Sequence, residues 1–314
     1  MTFLLKIDSD PAFDSERALE WQRLFAEKAP QVCFRIWPDI GDPTAVKYLA
    51  AWIPPPDIST LFPNLELLFS TGAGVDQFDL SAVPTNLPVV RLVEPGIVNG
   101  MVEYVTMTVL AFHRDLFVYQ AQSRQGNWRE IPVLPASSRR VGVLGLGTLG
   151  EAVCRKLSGF GFRVSGWSRS PRTIPNTTCF SGQSEMSQFL ARADILICLL
   201  PLTPETIDIL DSDLFSKLPW GARVINVGRG KHLNQDDLRD ALDSGQLAAA
   251  ILDVSEPEPL PHTHWLWRDE RVLITPHIAS MTQPETAVES VIENLRRHQL
   301  GEQLIGLVDR TRGY

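Results

Sequence analysis

Three short segments in the C-terminal half of the chain carry the side chains with chemistry to offer. They are Asn226-Val227-Gly228-Arg229-Gly230, Asp253-Val254-Ser255-Glu256-Pro257-Glu258-Pro259-Leu260 and Thr275-Pro276-His277-Ile278-Ala279-Ser280. Together they supply a guanidinium, carboxylates and an imidazole. A guanidinium holds an anionic group through charge-assisted hydrogen bonds. A neighbouring carboxylate favours the protonated imidazole, which then has a proton to give. Such a set suits a substrate with a carbonyl beside a carboxylate, protonating the carbonyl oxygen as hydride reaches the carbon. Glu256 and Glu258 both qualify, by residue type, as the partner of the imidazole.

A source of hydride is legible upstream. Gly145-Leu146-Gly147-Thr148-Leu149-Gly150 directly follows the apolar run Arg140–Leu144 and opens a helical pattern, the context that makes a GxGxxG spacing specific for a dinucleotide. Gly145 permits the tight turn, Gly147 lets backbone approach a pyrophosphate, and Gly150 lets helix and strand pack. The helix N-terminus supplies amides and a positive dipole end. A site for NAD usually places Asp or Glu about 20 residues further on, against the ribose hydroxyls. Here the next strand, Arg163–Trp167, runs into Ser168-Arg169-Ser170-Pro171-Arg172-Thr173, and no acidic residue stands between Glu151 and Glu185. A carboxylate would repel a 2′-phosphate, whereas Arg169 with the hydroxyls of Ser168 and Ser170 would hold one. The predicted cofactor is NADP(H), with NADPH preferred over NADH.

These segments need strands to carry them. In the first hundred residues Phe3–Ile7, Val32–Ile36, Leu49–Ile53, Leu65–Phe69 and Pro88–Leu92 read as strands, and Ser15–Lys28 reads as an amphipathic helix. A long helix is predicted from Met101 to about Ala121. After a polar stretch, strands follow at Arg140–Leu144, Arg163–Trp167, Ile195–Leu199, Ala222–Val227, Ala249–Asp253 and Val272–Ile274, which fits a six-stranded doubly wound sheet. Helices alternate with them at Leu149–Gly159, Ser184–Ala191 and Asn234–Asp243. Thr282-Gln283-Pro284-Glu285 reads as a capping box opening a last helix to about Leu300. The expected fold is therefore α/β and two-domain: a Rossmann doubly wound parallel sheet at 101–282, and a flavodoxin-like α/β substrate domain built from 1–100 and 283–314. Hinges near 100 and 283 would let the domains close over a ligand and exclude water.

Composition removes other classes. A 314-residue chain with net charge −8 and no basic run lacks the electrostatic footprint of a nucleic-acid binder. No run of about 18 apolar residues suggests a membrane span, and the start has too short an apolar run for a signal peptide, so the expected location is cytoplasmic. Cys33, Cys154, Cys179 and Cys198 are widely spaced, and the His262/His264 pair lies in a Pro-rich stretch that reads as a solvated loop. No metal is expected.

Taken together, Ser70-Thr71-Gly72-Ala73-Gly74-Val75-Asp76, the Gly145 loop, Leu200-Pro201-Leu202-Thr203-Pro204-Glu205-Thr206, the three segments above and the closing Val308-Asp309-Arg310-Thr311-Arg312-Gly313-Tyr314 resemble the D-isomer-specific 2-hydroxyacid dehydrogenase family. The resemblance covers nearly the whole chain. It implies that Arg229 holds the substrate carboxylate and carbonyl, that His277 is the general acid in reduction, and that Glu258, rather than Glu256, pairs with His277. It also implies that Ala73, Gly74 and Val75 offer backbone amides to the carboxylate and that Trp52 walls the pocket. Leu149 and Thr206 would face the cofactor phosphates, Asp253 the nicotinamide amide, and Thr148, Leu200, Pro201 and Val227 would line the cofactor. The expected reaction is NADPH-dependent reduction of small 2-keto acids, glyoxylate to glycolate and hydroxypyruvate to D-glycerate. Two departures bear on pocket shape: Ser255 stands where Phe is common, and Gly228 where Ala is common. One alternative is a dehydrogenase for a bulkier 2-keto acid. Another is a dinucleotide-sensing interaction protein with vestigial catalysis, against which stands the joint presence of Arg229, Glu258 and His277. In relatives the segment equivalent to Ser123–Ser138 wraps a second subunit, implying a homodimer.

Overall fold

Apolar runs, buried along most of their length, set the central strands in both halves of the chain. The computed structural model describes residues 1–7 and 11–311, with 11–14 described by backbone alone. Arg312, Gly313 and Tyr314 of the closing motif lie outside the described residues. The chain divides into two compact units, Met1–Ile97 with Met281–Tyr314, and Val98–Ser280.

The first unit is a parallel sheet of β1 (Thr2–Lys6), β2 (Cys33–Ile36), β3 (Val46–Ala51), β4 (Leu67–Ser70) and β5 (Val89–Val90). Their order is β2-β1-β3-β4-β5, the flavodoxin-like arrangement. Leu4, Leu49, Phe62, Leu68 and Val75 share its core. Helix Pro284–Leu300 packs against helix Pro11–Lys28, with Lys28 Nζ 2.6 Å from Glu289 Oε1.

The second unit holds β6 (Arg140–Leu144), β7 (Arg163–Ser168), β8 (Thr177–Ser181), β9 (Ile195–Cys198), β10 (Ala222–Asn226), β11 (Leu247–Leu252) and β12 (Val272–Ile274). All pairings are parallel, in the order β12-β11-β10-β9-β6-β7-β8. Counted within the unit this is the Rossmann order 3-2-1-4-5-6 with a seventh strand added. Its direction reverses between β6 and β9, and an open α/β sheet binds ligands outside the carboxyl ends of strands at such a reversal. The Gly145 loop leaves β6 at that point.

Four expectations need correcting. The sheet has seven strands, not six: the additional β8 is an edge strand of Thr177, Thr178, Cys179, Phe180 and Ser181, in which only Phe180 is buried, so it offers no apolar run to read. The long helix starts earlier, at Pro95, and is interrupted after His113; Asp115, at φ 52°, starts a separate helix, Leu116–Arg124. Thr282 does not cap the last helix. Gln283 is the N-cap, without a side-chain bond, and the Thr282 hydroxyl donates to Thr71 O at 2.7 Å, tying that segment to the end of β4. Pro88–Leu92 shrinks to the two-residue β5.

Candidate active site

The dinucleotide loop has the backbone that its glycines anticipate. Gly145 sits at φ +101°, where a side chain is strained, and a Cβ there would lie 2.6 Å from Leu199 O. At Gly150 a Cβ would lie 1.8 Å from Gly145 O, so only glycine lets helix Thr148–Gly159 start so close to the strand. A Cβ on the exposed Gly147 would meet nothing within 4 Å, leaving open space beside the helix N-terminus. Gly147 is also the N-cap, and having no side chain it leaves the first-turn amides for an anion. This cradle fits a dinucleotide pyrophosphate. Thr148 and Leu149 open the helix, with Thr148 exposed and Leu149 half-buried.

At the end of β7 the Ser168 hydroxyl donates to Ser170 O at 2.8 Å, closing a turn that exposes Arg169 and Ser170. The neighbouring loop follows β9. There Thr206 Oγ1 donates to Pro201 O at 2.8 Å and accepts from Thr203 N at 2.8 Å, so the threonine shapes the loop itself. Glu205 is held below the ordinary carboxylate range, first by the Thr203 hydroxyl and in smaller part by the charge of Arg169, which brings that loop electrostatically near Arg169. Leu200 and Val227 are buried at the ends of β9 and β10.

Strands β10, β11 and β12 are neighbours, so the loops leaving their carboxyl ends converge. Arg229 follows β10. The fully buried Asn226 pins its loop, accepting from Gly228 N at 3.1 Å and donating to Arg229 O at 3.0 Å. Gly230 rests on the β11 loop: a Cβ there would lie 1.9 Å from Ser255 O. From the β11 loop Glu258 reaches His277, with Oε2 3.1 Å from Nδ1. Its other oxygen accepts from Ser255 N at 3.2 Å. Burial pushes the Glu258 carboxyl up, but the hydrogen bond and charge of His277, the Ser255 amide and the Arg229 guanidinium outweigh it and hold it below the ordinary range. Glu256 is exposed, and the bond recorded there is Gln235 Nε2 donating to its carbonyl at 2.6 Å. Of the two carboxylates, Glu258 is therefore the one against the imidazole.

His277 has the backbone of a forced turn, φ 56° in a non-glycine residue. Asp253, 1% exposed, holds it there: its carboxylate accepts from Ile278 N at 2.9 Å, Ala279 N at 2.8 Å and Thr275 Oγ1 at 2.6 Å, and its carbonyl accepts from His277 N at 2.8 Å. Burial raises the Asp253 carboxyl above its ordinary range, opposed by those donors and by His277. Tyr104 Oη lies 2.5 Å from Thr275 Oγ1, joining helix Pro95–His113 to the same turn. In this geometry Asp253 is engaged with the His277 turn, a task that the resemblance did not suggest.

In the first unit the 71–75 turn follows β4. The fully buried Ser70 donates to Gly74 O at 2.7 Å and accepts from Gly72 N at 3.2 Å. The amides of Ala73, Gly74 and Val75 have no acceptor among the described residues, whereas the Val75 side chain belongs to the core. Trp52, after β3, packs over Gly72, whose Cβ would lie 2.9 Å from the indole.

Sequence reasoning passed over His232, Asn226, Ser70, Thr275 and Tyr104 as site residues. Asn226, Ser70 and Thr275 stand inside or beside quoted motifs, and His232 follows Arg229 by three residues. Tyr104 had no sequence signal, being 171 residues from its partner. His264 caps the short helix Trp265–Trp267, accepting from Leu266 N at 3.4 Å. Among the described residues no group of three or more His, Cys, Asp or Glu side chains could hold a metal ion, and no helix is long and apolar enough to cross a membrane.

Residues 106–279 match the family model for the D-isomer specific 2-hydroxyacid dehydrogenase NAD binding domain. Glyoxylate/hydroxypyruvate reductase A of Yersinia enterocolitica is 40% identical over 303 residues, 95% of this chain and 96% of that protein. A D-isomer specific 2-hydroxyacid dehydrogenase from Xanthobacter autotrophicus Py2, solved with NADPH and MES, superposes with TM-score 0.92 at 38% identity, covering 99% of both chains. An NADPH-dependent glyoxylate/hydroxypyruvate reductase from Sinorhizobium meliloti, solved with NADP and sulfate, gives TM-score 0.92 at 32% identity, over 100% of this chain and 99% of that one.

Proposed function

This chain belongs to the D-isomer specific 2-hydroxyacid dehydrogenase family, and on that premise we propose that it is an NADPH-dependent reductase of small 2-keto acids, converting glyoxylate to glycolate and hydroxypyruvate to D-glycerate. The observation that carries this reading is the Glu258–His277 pair, 3.1 Å apart, with the Arg229 guanidinium close enough to act on Glu258.

Bound NADPH would supply the hydride for C2 of the keto acid. The rest is work for side chains. Arg229 holds the substrate carboxylate and polarises the adjacent carbonyl. His277 gives its proton to the carbonyl oxygen as the C–H bond forms, so the C=O bond becomes C–OH without a free alkoxide. Glu258 orients the ring through Nδ1, which leaves Nε2 as the proton donor, and balances the imidazolium charge. The amides of Ala73, Gly74 and Val75, with Trp52, are the substrate-binding groups of the first unit. In domain terms, 1–100 with 283–314 would be the substrate domain and 101–282 the cofactor domain. Gly145, Gly147, Thr148, Leu149 and Gly150 would cradle the pyrophosphate. Leu200, Pro201, Thr206, Val227 and Asp253 would line the remainder, and Ser168, Arg169 and Ser170 would meet the 2′-phosphate.

The test is initial-rate oxidation of NADPH and of NADH with glyoxylate, hydroxypyruvate, pyruvate and phenylpyruvate. NADPH with glyoxylate or hydroxypyruvate is expected to lead. Arg169→Ala should lower the NADPH-over-NADH preference about tenfold, the worth of one charge-assisted phosphate contact, while leaving the NADH rate unchanged. Phenylpyruvate outrunning glyoxylate would transfer the assignment to a bulkier 2-keto acid. Absence of turnover with every pair would favour a dinucleotide sensor.

The enzyme would act in the cytoplasm as a homodimer. The 123–138 segment supports the dimer, since Trp128 stands 96% exposed there beside exposed Val133 and Leu134. Light scattering at micromolar concentration should return the mass of two chains; the mass of one would refute it.

A further inference from the structure

His232 is one of the few polar side chains with no exposed surface, and its imidazole lies against the loops after β9 and β10. Its Nδ1 is 3.0 Å from the backbone N of Arg229, and its Nε2 is 3.2 Å from the carbonyl oxygen of Pro201. An amide can only donate and a carbonyl can only accept, so these partners define a neutral ring with the proton on Nε2. The Pro201 carbonyl takes its second hydrogen bond from Thr206 Oγ1, at 2.8 Å. The main chain adds to the hold: His232 N donates to Arg229 O at 3.1 Å, and Leu210 N donates to His232 O at 2.8 Å. Space for the ring comes from Gly228, where a Cβ would lie 2.7 Å from Nδ1 and 3.2 Å from Leu200 O.

We propose that His232 is a positioning residue that couples the substrate-binding arginine to the cofactor loop through one buried, neutral imidazole. Its Nδ1 fixes the backbone from which the Arg229 guanidinium projects. Its Nε2–H fixes the carbonyl about which the Pro201–Thr206 loop is folded. The loop that holds the keto acid and the loop that meets the dinucleotide thereby share one rigid element. This inference rests on the reading of Arg229 as the carboxylate binder.

The two ring nitrogens can be separated by substitution. His232→Asn keeps an acceptor at the Nδ1 position, His232→Gln keeps a donor at the Nε2 position, and His232→Leu keeps neither. KM for glyoxylate is read from initial rates and Kd for NADPH from fluorescence titration, with thermal melting to follow the fold. His232→Leu is expected to raise KM about tenfold and Kd about threefold, in the range of single lost hydrogen bonds. His232→Asn should restore KM but not Kd, and His232→Gln should restore Kd but not KM. Equal values for the Asn and Gln variants would overturn the proposal, as would a Leu variant matching wild type in both. Should His232→Leu fail to fold, the contrast between Asn and Gln decides alone. If wild type binds NADPH but reduces no 2-keto acid, the catalytic reading falls and the Kd contrast between Gln and Asn still decides for or against His232.

Discussion

Replacing His277 with alanine is expected to lower kcat for 2-keto acid reduction about 10³-fold, in the middle of the range for a lost general acid. The affinity for NADPH, read by fluorescence titration, should stay within about twofold, since such a loss concerns proton transfer rather than binding. Without His277 the developing alkoxide must take its proton from water. The His277→Ala variant turning over at a tenth of the wild-type rate would remove the imidazole from the proton-donor role.

Glu258→Gln tests the same pair through pH. His277 and Arg229, with the Ser255 amide, hold the Glu258 carboxyl below its ordinary range against the upward push of burial. The carboxylate is therefore charged at every pH above the unfolded value, and its favourable interaction is lost only as pH falls through the depressed folded value. Removing the charge should lower kcat at neutral pH about tenfold, the worth of one hydrogen bond to a charged group, and should abolish the fall in rate that wild type shows as pH drops through the depressed Glu258 value. A rate at neutral pH unchanged in Glu258→Gln would mean that the carboxylate does not support the imidazole.

The fold was legible where burial is two-sided and the chain announces it. Strands β6, β9 and β10 are apolar runs covered on both faces, and the glycines at 145, 147 and 150 mark a turn in which Gly145 takes a backbone few other residues adopt and Gly150 allows helix and strand to touch. Strand β8 escaped notice because an edge strand with one buried residue obeys no hydrophobic period. The Thr282 capping box misled for a related reason. A hydroxyl at a helix start can bond the local amide or a distant carbonyl, and only tertiary structure chose Thr71 O, 211 residues away. The reacting side chains were visible in the sequence as types. Their supports were not, because Asn226, Asp253 and His232 act through backbone atoms, which have no letter in a sequence.

Arg229→Gln is expected to lower kcat/KM for glyoxylate 10²- to 10³-fold, the sum of two charge-assisted contacts at about 1.5–3 kcal/mol each, less than full additivity. Most of the loss should appear in KM, because the carboxylate is bound by the guanidinium before and during reaction. Arg229→Lys should recover only part of it, since an ammonium is a point charge without the planar fork that meets two oxygens at once. The backbone of residue 229 is held by Asn226 Nδ2 on its carbonyl and His232 Nδ1 on its amide, to which the side chain adds one bond from Nη1 to Gly228 O at 2.8 Å. Either variant should therefore fold, with a melting temperature lowered by no more than the cost of one lost hydrogen bond, and bind NADPH as wild type does. The discriminating control is a small carbonyl compound without a carboxylate. Its slow reduction loses only the carbonyl contact and should fall about tenfold in Arg229→Gln, so that most of the preference for keto acids over neutral carbonyls disappears with the arginine. If both substrate classes lose rate to the same extent, Arg229 serves the carbonyl or the loop alone and does not bind the carboxylate.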